Sequence, residues 1–269
     1  MDMVGFIGAG NMAEALIKGV INAGVCKPKH IFISDIRSDR LASLTRQYGV
    51  QAIANSAALA GQVDVLVLSV KPQNMTEALQ AIKGTVKHGT LIISIAAGIR
   101  VAKIAGALGD MPIVRVMPNT PALIGEGASA LFANSKARPM MDRAMKIFSA
   151  VGRTVIVDNE DLIDAVTAVS GSGPACFFLL MEEMIKAGHD LGLPPEIAKI
   201  LVLQTAKGAG VLATERDQHG ESPSELRRKV TSPGGTTEAA LKVFAAREFG
   251  QIIEQALRAA RDRSKELSG

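Results

Sequence analysis

At 269 residues the chain is long enough for one large domain or two ordinary ones with ample core. Its 48% hydrophobic and 21% charged residues belong to a soluble globular protein and exclude a disordered one. A net charge of +4, no tryptophan and a single tyrosine argue against nucleic-acid binding but leave an anionic small ligand open.

Cys26 and Cys176 are too few for a disulfide scaffold and carry no metal-type spacing; beside Phe177 and Phe178, Cys176 reads as a buried apolar thiol. No metal-ligand constellation is expected. Neither a signal segment nor an apolar run of membrane-spanning length stands out: ACFFLLM at 175–181 is far too short. The default expectation is a cytoplasmic protein with no membrane or nucleic-acid partner.

In chain order, Val4, Phe6 and Ile7 predict a short buried strand. Gly8, Gly10 and Ala13 then fit the G-x-G-x-x-G/A turn of a dinucleotide site. Gly8 permits the tight turn, Gly10 lets backbone approach a pyrophosphate, and Ala13 lets the helix lie close to the sheet. The amides that open that helix lack internal partners and point at an anion; the bland alternative is an ordinary strand-to-helix turn. Residues 12–23 predict a helix, 30–34 a strand, then a helix ending at Gly49. Strands follow at 63–70, 91–97 and 113–117, with helices after the first two. A helix over 136–151 and a strand at 153–158 close the series. Alternation of this kind predicts a parallel α/β sheet, whose ligands bind beyond the carboxyl ends of the strands. Gly8–Gly10, Asp35, Ser69–Pro72, Ala96–Gly98 and Met117–Thr120 all fall there. From about residue 160 only helical periodicity remains, over 160–190, 194–214 and 236–267. The predicted architecture is a Rossmann-type domain, 1–159, and an all-helical domain, 160–269, whose apolar helices need burial against a second copy.

Asp35 ends the second strand, where an acid hydrogen-bonds ribose hydroxyls and favours NAD; Arg37 and Arg40 would instead grip a 2′-phosphate or simply face solvent. Two loops suit a carboxylate: Ser170–Pro174, and Thr231–Thr237 before the last helix, with plain helix capping as the alternative. None of the four histidines falls in a crevice loop, and after Gly173 no lysine appears before Lys186. That argues against a hydroxyacid dehydrogenase, which needs a proton-transfer residue, and for a substrate already activated, such as a protonated imine. A dinucleotide-binding redox sensor is the non-enzymatic alternative.

The segments GFIGAGNMAEAL, SVKPQ, VRVMPNTPALIGEG, AVSGSGPA and VTSPGGTTEAAL together resemble pyrroline-5-carboxylate reductase, nearly end to end. The resemblance implies a cytoplasmic enzyme of proline biosynthesis that reduces L-1-pyrroline-5-carboxylate with NADPH or NADH. It also implies a homodimer interlocked through the helical domain, with decamers of five dimers in some members. Carried across, it puts the pyrophosphate over Gly8, Ala9, Gly10, Asn11 and Met12, and the adenosine ribose near Asp35 and Asn55. Ser69, Val70, Lys71, Pro72, Ala96, Ala97 and Gly98 would line the cofactor, and Asn119 would sit beside the nicotinamide. Ser232, Gly234, Gly235, Thr236 and Thr237 would bind the substrate carboxylate, with the Thr237 hydroxyl close to the imine nitrogen. Glu160 and Asp161 are candidates for the substrate rim. The chain departs from some members at Asp35, where others carry a neutral residue, and at Lys229, where others carry an asparagine near the cofactor.

Overall fold

The structure, a computed structural model, describes residues 2–268. Its strands are β1 (Val4–Ile7), β2 (Ile31–Ser34), β3 (Gln51–Ala52), β4 (Val65–Leu68), β5 (Leu91–Ser94), β6 (Ile113–Met117), β7 (Gly127–Ala133) and β8 (Gly152–Ile156). Between them lie α1 (Asn11–Asn22), α2 (Ser38–Tyr48), α3 (Ser56–Ala60), α4 (Met75–Ile82), α5 (Val101–Leu108) and α6 (Met141–Ser149). After β8 come α7 (Leu162–Val166), α8 (Gly173–Asp190), α9 (Pro195–Asp217), α10 (Pro223–Lys229), α11 (Thr236–Ala246) and α12 (Phe249–Ser268). One compact unit takes in the chain up to Pro174 and from Arg258 onward; the other is Ala175–Leu257.

In the first unit the sheet order is β3-β2-β1-β4-β5-β6-β7-β8. The strand order reverses between β1 and β4, both parallel to each other and to their outer neighbours. Alternate residues of each central strand enter opposite cores: Phe6, Val65, Val67 and Ile93 one, Ile7, Leu66, Leu68 and Ile92 the other. Burial on both faces is why these strands read as unbroken apolar runs. Leu16, Ile17 and Val20 of α1 and Phe148 of α6 cover the first face; Leu59, Met75, Leu79 and Ile104 cover the second.

Two expectations change here. The sheet is not wholly parallel: β7 runs antiparallel to β6 and parallel to β8. Its sequence, GASALFA, is built of small residues without a β-branched run, so only its pairing identifies it. Nor do residues 236–267 form one helix, because Glu248 takes a left-handed φ of 52° between α11 and α12. The first compact unit runs on through α7 to Pro174 because α7 is fastened to the sheet by buried charges.

That fastening centres on Arg115, a charge in the middle of apolar β6. Its guanidinium, 2% exposed, meets Glu160 at 3.0 Å and Asp164 at 4.0 Å. Glu160 also accepts the Val101 N–H at 2.9 Å, and Asp164, fully buried, accepts the Ser264 hydroxyl of α12 at 2.7 Å. Arg100 adds Asp161 at 2.9 Å. Glu160 and Asp161 are therefore parts of an ion cluster that holds α7 and the end of α12 to the sheet, rather than free carboxylates on a substrate rim.

The Ser170–Pro174 segment is not a loop either. Thr167–Gly171 is a π-helical turn, with the Ser172 N–H reaching the Thr167 carbonyl at 2.8 Å. Pro174 has no N–H to give the Ser170 carbonyl, so Asn119 Nδ2 donates to it instead, at 3.1 Å. A continuous helix replaces the expected anion loop.

The second unit buries little of its apolar surface. Phe177 is 65% and Ile200 64% exposed, with Phe178, Leu179, Leu201 and Val243 also open; Cys176 is exposed, not buried as expected. Helices Leu162–Asp190 and Pro195–Asp217 are, by length and composition, apolar enough to cross a membrane, with mean hydropathy 1.4 and 1.2. The sequence hides this because interspersed Gly, Ser and Thr break up each run.

Replacing Arg115 by Met removes the cation and leaves Glu160 and Asp164 together. Urea denaturation followed by circular dichroism is expected to show a loss of about 3–5 kcal/mol. A loss below about 1 kcal/mol would mean that the cluster does not hold α7 in place.

Candidate active site

The five segments expected to converge do lie along one edge, since β1, β2, β4, β5 and β6 are mutually parallel and each segment follows its strand. Backbone bonds stitch this edge together. The Gly8 N–H reaches the Ser34 carbonyl at 2.8 Å, and the Ser69 N–H reaches the Ile7 carbonyl at 2.9 Å. The Ser69 hydroxyl donates to the carbonyl of Gly8 at 2.6 Å and lies 3.1 Å from that of Ile7. Gly8 has φ 93°, and a Cβ there would stand 2.8 Å from the main chain of Ser69 and Val70. Ser69 and Gly8 thus close the end of the β1–β4 ladder that joins the two halves of the sheet at its switch point.

Gly10 is required for another reason. Its backbone is extended, φ −72° and ψ −176°, which any residue adopts, and a Cβ there would meet no protein atom within 4 Å. It caps α1 without a side-chain bond, so the amides of Asn11, Met12 and Ala13 open toward the same space. Nothing in the protein's own packing demands glycine at this position. Open space over uncapped amides fits a diphosphate drawn close to the backbone.

Asp35 stands immediately after β2. Its Oδ2 accepts the Ala9 N–H at 2.7 Å and its Oδ1 the Arg37 N–H at 2.9 Å. Burial alone would raise its pKa; the Ala9 and Arg37 amides and the Arg37 guanidinium together outweigh that and hold it below the ordinary 3.8. Arg40 Nε donates to the Ala9 carbonyl at 2.8 Å, and its guanidinium pairs with Glu14, which also accepts the Tyr48 hydroxyl at 2.9 Å. Against burial, these bonds keep Glu14 below its ordinary 4.5. Arg40, Glu14 and Tyr48 thus clamp the glycine loop from α1 and α2. Sequence reasoning saw Arg40 only as a phosphate ligand or a solvated side chain, and found neither Glu14 nor Tyr48.

Asn55 accepts the amides of Ala57 (2.8 Å) and Ala58 (3.2 Å), capping α3. Lys71 precedes a short 3-10 turn begun by Pro72 and is exposed. Ala96 is buried, and Gly98, at φ 71°, backs onto the Leu267 main chain. Asn119 is buried, bonded through Oδ1 to the Ala128 N–H (2.8 Å) and through Nδ2 to Ser170. Asn55 and Asn119 therefore both hold the backbone of their own unit.

The Ser232–Thr237 loop belongs to the second unit. Gly235 caps α11 with no side-chain bond, so the first-turn amides of Thr236 and Thr237 are uncapped. The loop is held instead by Glu238, which accepts the Gly234 N–H at 3.1 Å and pairs with Lys242. Thr237 is half-buried and Ser232 exposed. Lys229 is paired with Glu221 of the same unit.

Gly10→Ala is expected to leave stability within about 0.5 kcal/mol while weakening dinucleotide binding at least roughly ten-fold in calorimetric titration. Gly8→Ala is expected to lower the melting temperature as well; equal melting of the two variants would refute the distinction. Because Asp35 and Glu14 titrate lower when folded, their stabilisation is complete above their ordinary values and is lost as pH falls through the folded ones. Melting curves should therefore be level down to about pH 5 and fall below it, less steeply for Glu14→Gln.

Residues 160–267 match the family described as pyrroline-5-carboxylate reductase dimerisation, and residues 3–98 that described as NADP oxidoreductase, coenzyme F420-dependent. The chain is 48% identical to a pyrroline-5-carboxylate reductase of Pseudomonas aeruginosa over 267 residues, covering 98% of this chain and 96% of that one. It is 41% identical to that of Haemophilus influenzae, covering 98% and 97%. A structure of the reductase from Coxiella burnetii superposes with TM-score 0.94 at 38% identity, over 100% and 99% of the chains. The Plasmodium falciparum enzyme with NADP bound gives 0.87 at 31%, over 100% and 98%. A Rossmann-type sheet with the open glycine turn, joined to a helical part, along with this end-to-end similarity, makes the chain a member of the pyrroline-5-carboxylate reductase family.

Proposed function

We propose that the chain reduces L-1-pyrroline-5-carboxylate to L-proline with NADPH or NADH, the last step of proline biosynthesis, in the cytoplasm. Similarity to a named reductase at 48% identity over nearly the whole of both chains carries the reading. When bound, the reduced dinucleotide supplies a hydride to the imine carbon of the pyrroline ring.

Within this reading the residues divide by task. Gly8, Ala9, Gly10, Asn11 and Met12 bring uncapped amides to the diphosphate, and Asp35 and Asn55 border the adenosine ribose. Ser69–Pro72 and Ala96–Gly98 form the walls of the cofactor crevice, with Asn119 fixing the backbone beside the nicotinamide. The uncapped start of α11, from Ser232 through Gly234, Gly235, Thr236 and Thr237, receives the substrate carboxylate. The Thr237 hydroxyl lies beside the ring nitrogen, donating to the neutral imine or relaying the proton that makes it an iminium. An imine nitrogen that is already protonated is its own electron sink, so the protein's main contribution is orientation.

The apolar helices of the second unit take a second copy of the chain as their cover. Phe177, Phe178, Ile200 and Leu201 are too large and too exposed for a monomer in water. Residues 160–269 thus serve as substrate and dimerisation domain, and five such dimers form a decamer.

An absorbance assay at the nicotinamide band is expected to show oxidation of the reduced dinucleotide only when pyrroline-5-carboxylate is added; no signal with either dinucleotide would overturn the activity. Thr237→Ala is expected to lower turnover about ten-fold or more, one to two kcal/mol in the barrier, and wild-type turnover would remove Thr237 from the chemistry. Light scattering should give a dimer or a multiple of it, and a monomer would overturn the assembly.

A further inference from the structure

The sequence sets two opposed signals beside the adenosine ribose: an acid that suits a free 2′-hydroxyl, and two arginines that suit a 2′-phosphate. In the structure Arg40 is engaged, Arg37 faces the acid, and the acid is not free to leave. Arg40 lies beneath the glycine loop, bonded to the Ala9 carbonyl at 2.8 Å and paired with Glu14, with 19% of its side chain exposed. Withdrawing it to meet a phosphate would leave Glu14 without its cation. Arg37 is more open, at 55%, but its Nε faces the Asp35 carboxylate at 3.4 Å. Asp35 is held at both oxygens by main-chain amides, Ala9 at 2.7 Å and Arg37 at 2.9 Å, and is 10% exposed. These amides belong to the glycine turn and the start of α2, so the carboxylate cannot swing aside without breaking the turn that receives the diphosphate.

We propose that Asp35 makes this enzyme prefer NADH to NADPH. Its Oδ2, bonded only to the Ala9 N–H, keeps a lone pair that accepts a ribose hydroxyl. A 2′-phosphate has no proton to donate at neutral pH and would set about two further negative charges beside a fixed carboxylate. The local charges already balance, Arg37 with Asp35 and Arg40 with Glu14, so a phosphate would have to compete with the fixed carboxylate for Arg37, the more open of the two arginines. The inference rests on the crevice being the dinucleotide site proposed above.

The test is calorimetric titration of the full-length protein with NADH, NADPH, AMP and 2′-phospho-AMP, alongside Asp35→Asn and Arg37→Ala. NADH should bind at least roughly ten-fold more tightly than NADPH, with AMP preferred over 2′-phospho-AMP. Asp35→Asn keeps the size and one acceptor while removing the charge, and should narrow or reverse the ratio. Arg37→Ala keeps the acid and should preserve the preference. Tighter binding of NADPH by the wild type, or an unchanged ratio in Asp35→Asn, would overturn the preference while leaving the dinucleotide site standing. Failure of all four compounds to bind would overturn the site and the preference with it.

Discussion

The first unit depends on the passage of the chain between the ends of β1 and β4. There the main chain of Gly8 lies against that of Ser69 with no room for a Cβ, in a conformation that side chains rarely adopt. This contact closes the end of the β1–β4 ladder, which joins the half-sheet built outward through β2 and β3 to the half built through β5 and β6. It also aims the first turn of α1 out of the sheet at the point where the strand order reverses, which is where an open α/β sheet offers a crevice. Close approach and uncapped amides therefore have one cause.

A second layer keeps that turn still. The peptide of Ala9 is bonded on both sides, its N–H to Asp35 and its carbonyl to Arg40, and Arg40 is in turn held by Glu14, which also accepts the Tyr48 hydroxyl. Four groups from β2's end, α1 and α2 thus fix one peptide. A site that binds through backbone amides gains from this rigidity, since less ordering is left to be done when the anion arrives. Farther along the sheet, the Arg115–Glu160–Asp164 cluster does the same for α7, and Asn119 does it for the turn after β6. Much of the polar chemistry at the edge of the sheet therefore keeps backbone in place, and leaves the first amides of α1 uncapped.

The second unit poses the opposite problem, with secondary structure in excess of core. Its helices carry large apolar side chains around most of their girth and leave many of them open. Such surface needs cover, and helices of this length and hydropathy would satisfy a membrane test as readily as an association test. The match of residues 160–267 to a dimerisation family is consistent with association.

By itself the sequence determined the elements whose signal is local. The unbroken apolar strands, the glycine turn with its helix, and the change to purely helical periodicity near residue 160 all follow from residue pattern, because burial on one or two faces writes itself into spacing. Tertiary structure decided what depends on partners distant in the chain. β7 is a strand because β6 and β8 lie beside it, and the π-turn at Thr167–Gly171 survives because Asn119 takes the carbonyl that Pro174 cannot. Arg115 carried a legible warning, a lone charge inside an apolar strand, but its partners Glu160 and Asp164 lie tens of residues away. The opposition between Asp35 and the arginines is visible from the residues; only the fold decides which of those charges the protein itself binds.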